Sequence, residues 1–270
     1  GMAFRLKAEK DWPQKLCVDH GAILLRWMLA GERSAQQEAD AIAGLLLEAG
    51  VGPGERVLDF CCGYGRHSLR LAERGYKVTG VDISEASIRH ARELALERNV
   101  SEAVRFLVGD VRRLGDLLSP TAGFGAAIGI LPAIGYYDKK TDESVFRQIH
   151  QLTRPGGVLI LSVGNGEHHI LEPSKVLRER VGGTPAYEIH HALSFNRATS
   201  RLQDIWKIHE ASGQGLVHVS TVKTTRRLYS LQELVGLYAK TGWRYLKAFG
   251  NYQLEPVEPT RPVMTVVGAR

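Results

Sequence analysis

The stretch VLDFCCGYGRHS, residues 57–68, constrains the fold more than any other part of the chain. It opens with an apolar run typical of a buried strand, passes through a turn containing Gly63 and Gly65, and continues as a helix from about Arg66. A second apolar run, residues 76–81, ends at Asp82. This order is typical of a nucleotide-binding βαβ unit, in which the acid after the second strand holds a ribose.

The carboxylate of Asp59 narrows the choice of ligand for this turn. Asp59 lies at the end of the first strand, beside the glycines. A dinucleotide would place its anionic pyrophosphate there, against the N-terminus of the helix, and a carboxylate would repel it. A cationic ligand suits the position better. Together with Gly109 and Asp110, Asp59 disfavours a nicotinamide-dependent dehydrogenase.

The pattern Asp59-x-Cys61-x-Gly63-x-Gly65 resembles motif I of the class I S-adenosylmethionine-dependent methyltransferases. The usual family motif has glycine where this chain has Cys61, and the run CCGYGRHS is similar to a small-molecule-type subgroup that carries the cysteine. The cysteine bears on how closely the backbone can approach the cofactor there. The resemblance implies S-adenosylmethionine as cofactor, which carries an ammonium and a sulfonium and has no phosphate.

Three more landmarks extend the resemblance over residues 55–165. It implies that Asp82 binds the ribose hydroxyls and that Asp110, in the run VGDV, accepts from the adenine amino group. The third landmark is the turn RPGG, residues 154–157, before a fifth strand. The resemblance also implies that the segment after the fourth strand contacts the methionine part of the cofactor. The implied cofactor-binding residues are Asp59, Cys61, Gly63, Gly65, Asp82, Ile83, Gly109, Asp110, Val111 and Leu131.

The predicted fold is α/β, with a doubly wound, mostly parallel seven-stranded sheet and an inserted antiparallel meander. Residues 1–54 are expected to form a helical cover, residues 55–165 and 229–270 the cofactor-binding core, and residues 166–228 the insertion. Within the insertion, a short helical run is expected at 174–181. Three strands should follow at 186–197, 201–211 and 216–228, because their apolar residues alternate. The insertion is expected to act as a lid or as a dimer contact.

Three tyrosines are candidates for contact with the methyl acceptor. Tyr136 and Tyr137 follow the fourth strand, and Tyr252 follows the sixth, near the mouth of the cleft by topology. Ordinary packing is the alternative for each. No catalytic base stands out. The preferred function is methyl transfer to a small molecule, and the alternatives are a methyltransferase acting on RNA or protein, or a regulatory protein that binds the cofactor without transfer.

Composition and charge bear on the possible partners of the chain and on its cellular compartment. The formal net charge is +6, yet the basic residues are dispersed without interleaved aromatics, so a nucleic-acid partner is not favoured. No apolar run is long enough for a membrane span. Three cysteines, two of them adjacent, suit a reducing cytoplasm. The pairs His168-His169 and His190-His191 are not expected to chelate a metal, since neighbours on a strand face opposite sides.

Overall fold

The computed structural model describes residues 10–270, so the start of the predicted helical cover lies outside the described residues. After a π-helical turn, Gln14–Asp19, the helices are α1 (Gly21–Gly31), α2 (Ala35–Glu48), α3 (Arg66–Glu73), α4 (Glu85–Glu97), α5 (Leu114–Leu117), α6 (Lys139–Leu152), α7 (Gly166–Leu171) and α8 (Leu231–Lys240). The strands are β1 (Arg56–Phe60), β2 (Lys77–Asp82), β3 (Val104–Val108), β4 (Phe124–Ile130), β5 (Thr153–Gly164), β6 (Ser174–Val181), β7 (Ala186–Asn196), β8 (Arg201–Ser212), β9 (Gly215–Arg227), β10 (Arg244–Phe249) and β11 (Val263–Ala269).

Seven strands form one sheet in the order β10-β11-β5-β4-β1-β2-β3. The pairs among β1 to β5 are parallel, whereas β11 runs antiparallel to both β5 and β10. The chain reverses direction across the sheet between β1 and β4, and ligands bind outside the carboxyl ends of the strands at such a switch point. The predicted fold class is confirmed.

Helices cover both faces of this sheet because its central strands are apolar on both sides. Val57 of β1 packs with Ile42 and Leu46 of α2 on one face. Its neighbour Leu58 packs with Phe146 of α6 on the other face. This alternation within one strand places α2 and α6 in opposite layers.

The insertion forms a separate antiparallel sheet of four strands, in the order β6-β7-β8-β9. The helix expected at 174–181 is wrong, because Ser174–Val181 is the edge strand β6. Its run SKVLRERV is rich in charged residues and largely exposed, which suits an edge strand but hides the usual strand signal. The inner face of the sheet packs on the N-terminal helices through Trp206, Ile189, Trp12 and Leu16.

Three helices are preceded by a serine, and two of these serines cap their helix. Ser84 Oγ accepts from the Ser87 amide at 3.2 Å, and Ser230 forms a capping box with Glu233. The Ser34 hydroxyl instead donates a hydrogen bond to Glu38 Oε1 at 2.7 Å.

Within residues 10–270, no helix is both long and apolar enough to cross a bilayer.

Candidate cofactor and acceptor site

A cavity of about 830 Å³ lies at the carboxyl ends of the parallel strands. One wall comes from the loops after β1 to β4, a second from the N-terminal helices, and a third from β6, β8 and β9 of the antiparallel sheet. All the predicted cofactor residues line it except Gly65. A cavity of this volume can hold a nucleoside-sized ligand together with a small second molecule.

The turn after β1 runs through left-handed backbone. Cys61, Gly63 and Gly65 have φ angles of +69°, +57° and +81°. Glycine is the residue that takes such angles without strain, which explains why a cysteine is unusual at position 61. Here Cys61 Sγ accepts from the Ala133 amide at 3.4 Å. The cysteine thus connects the glycine turn to the segment after β4, and burial raises its thiol pKa.

Gly65 and Gly109 are glycines for reasons of space. A Cβ on Gly65 would lie 2.6 Å from the Phe106 ring, and one on Gly109 would lie 2.3 Å from Leu117. Gly65 is also the residue from which α3 begins. Gly65 therefore allows the turn to pack against β3 and α3 to begin directly after it.

Asp82 is oriented by two backbone amides at the end of β2. Its Oδ2 accepts from the Gly63 amide and its Oδ1 from the Ser84 amide, each at 2.9 Å. Burial raises the pKa of this carboxyl, although the hydrogen bonds from the two backbone amides oppose that shift. Each carboxylate oxygen has a second lone pair, so Asp82 can also accept from two hydroxyl groups in the cavity.

Asp59 is fully buried behind the same turn. Its Oδ2 accepts from Ser68 Oγ at 2.6 Å, which ties the end of β1 to α3. Burial raises the pKa of Asp59, while nearby His67 and the Ser68 hydroxyl act in the opposite direction. A buried carboxylate at this point gives the cavity wall an acceptor for a cationic group.

Asp110 is held by an arginine from its own loop. Arg112 donates from Nη2 to Asp110 Oδ2 at 2.6 Å and from its backbone amide to Oδ1 at 2.9 Å. Burial would raise the pKa of Asp110, but these hydrogen bonds outweigh it and hold the pKa below its usual value. The Arg112 guanidinium also lies 4.1 Å from the centre of the Tyr137 ring. Contact between Asp110 and adenine stays a prediction.

A buried ion pair joins the helical cover to α3. Glu38 Oε2 lies 2.5 Å from His67 Nε2 and 3.7 Å from Arg66 Nη2. Burial alone would raise the pKa of Glu38, but the hydrogen bonds from His67 and Ser34 lower it to about 2. His67 and Arg66 line the cavity. Glu38 was not predicted from the sequence. The clue that could have indicated it is an acidic residue on the apolar stripe of α2, between Ala35 and Ile42.

The low pKa of Glu38 makes stability depend on pH. Its folded-state pKa of about 2 is below the ordinary value of 4.5. The ionised group therefore stabilises the fold above pH 4.5, and this contribution is lost as the pH falls from 4.5 toward 2. We expect Glu38→Gln to lower the free energy of unfolding near neutral pH and to flatten its fall over that acidic range. Urea titrations at a series of pH values measure this.

The exposed Glu97→Gln is the matched control, since its side chain lies on the surface of α4. It should leave the pH profile of the wild type unchanged. A Glu38→Gln profile that is parallel to the wild-type profile would show that Glu38 does not carry the effect.

The tyrosines predicted to meet the acceptor divide into two groups. Tyr136 lines the cavity and packs on Trp12, with ring centres 4.6 Å apart. Tyr137 lines it as well, beneath Arg112. Tyr252 is not among the lining residues; burial raises its pKa to about 12. Its position therefore gives no support to contact with the acceptor.

Several lining residues were not predicted because they lie far from the cofactor motifs in sequence. The N-terminal helices contribute Leu16, Cys17, Leu24, Trp27 and Met28, and the antiparallel sheet contributes Glu179, Trp206 and Arg226. His20 of the N-terminal region contacts Ser220 of β9, at 3.0 Å. Within residues 10–270, no group of three or more His, Cys, Asp and Glu side chains is arranged to hold a metal ion.

Comparison with known proteins agrees with this geometry. Residues 57–157 match the family model described as a methyltransferase domain. The chain is 30% identical over 118 residues to a putative methyltransferase, YqeM, of Bacillus subtilis, covering 43% of this chain and 45% of that protein. It is 29% identical over 175 residues to glycine N-methyltransferase of Rattus norvegicus, covering 60% of this chain and 57% of that protein. The chain thus spans about half the length of these relatives.

A solved S-adenosylmethionine-dependent methyltransferase from Clostridium acetobutylicum has the same fold. It superimposes with a TM-score of 0.74 over 93% of this chain and 98% of its own, at 14% identity. The match to the methyltransferase-domain model and the shared fold support the predicted resemblance to the class I S-adenosylmethionine-dependent methyltransferases.

Proposed function

We propose that the protein transfers a methyl group from S-adenosylmethionine to a small-molecule acceptor. The observation that carries the proposal is that one cavity contains both the Asp82 and Gly63 cradle and an aromatic chamber built by Tyr136, Trp27 and Trp206. A bound cofactor supplies an electrophilic methyl group on its sulfonium. The protein has to position the acceptor atom and exclude water.

The residues present fit this cofactor. Asp82, oriented by two amides, is placed to accept from both ribose hydroxyls. Asp110 is kept ionised by Arg112 and is an acceptor for the adenine amino group. Asp59 offers negative charge to a cationic methionine part, while His67 and Arg66 offer positive charge to its carboxylate. The glycine turn leaves room for the cofactor between these groups.

The third wall of the cavity supports the proposal that the acceptor is a small molecule. The helical cover and the antiparallel sheet enclose the side of the cavity opposite the cofactor motifs, through Leu16, Trp27 and Trp206. A segment of RNA or protein would need an open path to the methyl group, whereas a small molecule can enter and be surrounded. The lid role predicted for the insertion belongs to this proposal, and a dimer contact and a cytoplasmic location stay predictions.

The test uses S-adenosylmethionine with a tritiated methyl group and a cell lysate separated by size. We expect the label to appear in the fraction containing small metabolites, and not in RNA or protein. Label confined to the macromolecular fraction would favour the alternative, for which the net charge of +6 is the supporting observation. Tight binding of S-adenosylhomocysteine without labelling of any fraction would favour a regulatory protein.

A further inference from the structure

A carboxylate and two indoles frame one end of the cavity. Glu179 of β6 lines the cavity together with Trp27 and Trp206. Trp27 Nε1 donates a hydrogen bond to Glu179 Oε2. The two indole rings lie 4.9 Å apart at an angle of 66°. Glu179 is therefore fixed in direction, with aromatic surface beside it.

A buried histidine and a second carboxylate lie behind Glu179. His191 Nε2 is 3.8 Å from Glu179 Oε2, and His191 Nδ1 is 3.1 Å from Asp204 Oδ2. Among the described residues, neither His191 Nε2 nor Asp204 Oδ1 has a hydrogen-bond partner. With both carboxylates ionised, the three groups carry net negative charge whether the imidazole is neutral or protonated.

The two arginines that line the cavity from this sheet do not neutralise Glu179. Arg180 follows Glu179 on β6, so the Arg180 side chain points to the opposite face of the strand. Arg180 Nε lies 3.8 Å from Glu188 Oε2. Arg226 is on β9, the third strand from β6, and lies six residues along that strand from Ser220, which is in register with Glu179, so the two backbones are more than about 14 Å apart. Among residues 10–270, His191 is the only basic side chain recorded within 4 Å of the Glu179 carboxylate.

We propose that Glu179 is an acceptor-binding residue and that the methyl acceptor is an amine, bound first as its ammonium. The ammonium passes one proton to the Glu179 carboxylate, which frees the nitrogen lone pair to accept the methyl group. The inference rests on the proposed function and specifies the substrate class of the same cavity. An ammonium donates a charge-assisted hydrogen bond to the carboxylate and is attracted to the faces of Trp27 and Trp206. An alcohol or thiol acceptor would donate only a neutral, weaker hydrogen bond to Glu179, whose side chain is 39% exposed. Asp204 and His191 are positioning residues, since they act on the acceptor through Glu179.

The test compares two probes of the same shape, benzylamine, which is an ammonium at neutral pH, and benzyl alcohol. Each is titrated into the protein saturated with S-adenosylhomocysteine, and binding is followed by tryptophan fluorescence and calorimetry. We expect the wild type to bind benzylamine about 10-fold more tightly or better, because a hydrogen bond to a charged group is lost in the alcohol. Glu179→Gln keeps an oxygen for Trp27 Nε1 but loses the charge, so the two probes should bind it about equally.

Glu210→Gln is the matched control on β8, outside the cavity lining, and it should keep the wild-type preference. Should Glu179→Gln fail to fold, Trp27→Phe removes the orienting N–H and keeps an aromatic ring, and its preference should fall as well. Equal binding of the two probes to the wild type, absence of binding of both, or an unchanged preference in Glu179→Gln or Trp27→Phe would overturn the inference. Failure to bind S-adenosylhomocysteine would instead contradict the proposed function itself.

Discussion

Replacing Asp82 with alanine will weaken the binding of S-adenosylhomocysteine by about 30-fold or more. Two hydrogen bonds from ribose hydroxyls to a carboxylate contribute roughly 1.5–3 kcal/mol each, and both are lost together. The substitution also removes the acceptor for the Gly63 and Ser84 amides. Isothermal titration calorimetry on the folded variant measures the affinity.

Asp116→Ala is the control for this measurement, since Asp116 is an exposed acid whose partner is Arg113 on the surface. It should bind S-adenosylhomocysteine as the wild type does. Asp82→Asn adds a second comparison, because it keeps one oxygen acceptor and should lose less affinity than Asp82→Ala. Wild-type affinity in a folded Asp82→Ala would remove Asp82 from the cofactor site.

Gly65→Ala will lower the free energy of unfolding by about 2 kcal/mol or more. The φ angle of +81° at Gly65 is unfavourable for alanine, at a cost of roughly 1–2 kcal/mol. The new Cβ would also lie 2.6 Å from the Phe106 ring and 3.4 Å from Ala91 Cβ. Since Phe106 is buried, the overlap adds the strain of overpacking to the backbone cost. Equilibrium urea unfolding measures the sum.

Gly44→Ala provides a control of the same chemistry with the opposite expected sign. Gly44 lies inside α2, and a Cβ there meets no atom within 4 Å. Alanine in a helix interior is favoured over glycine by roughly 0.5–1 kcal/mol, so this variant should be more stable than the wild type. Equal stability of the two glycine variants would mean that Gly65 is not constrained by its turn.

The seven-stranded core could be predicted because its signals are local. The motif around Gly63, the acid at Asp82 and the turn at residues 154–157 each combine a strand end with a loop a few residues long. The parallel strands are apolar on both faces, so their positions are evident from sequence alone. The same signals predicted loop residues that line one wall of the cavity, and their contact with the cofactor stays a prediction.

The acceptor side could not be predicted, because it is built by packing between distant segments. Glu179 lies on a charged edge strand for which the sequence predicted a helix, and its partner Trp27 lies 152 positions earlier in the chain. The same holds for Glu38 and His67, which are separated by 29 positions. In each case the decisive contact depends on how a helix of the cover is placed, and periodicity does not encode that placement.

The helical cover contacts both ligand walls through hydrogen bonds, since Glu38 binds His67 on the cofactor side and Trp27 binds Glu179 on the other. The two ends of the cavity therefore share one support. A ligand that binds more tightly when one of these hydrogen bonds is formed is coupled to the other end through the cover. Such coupling is reciprocal in free energy, so each ligand raises the affinity for the other by the same factor. A substitution in the cover that breaks either hydrogen bond is therefore expected to change the affinity at both ends of the cavity.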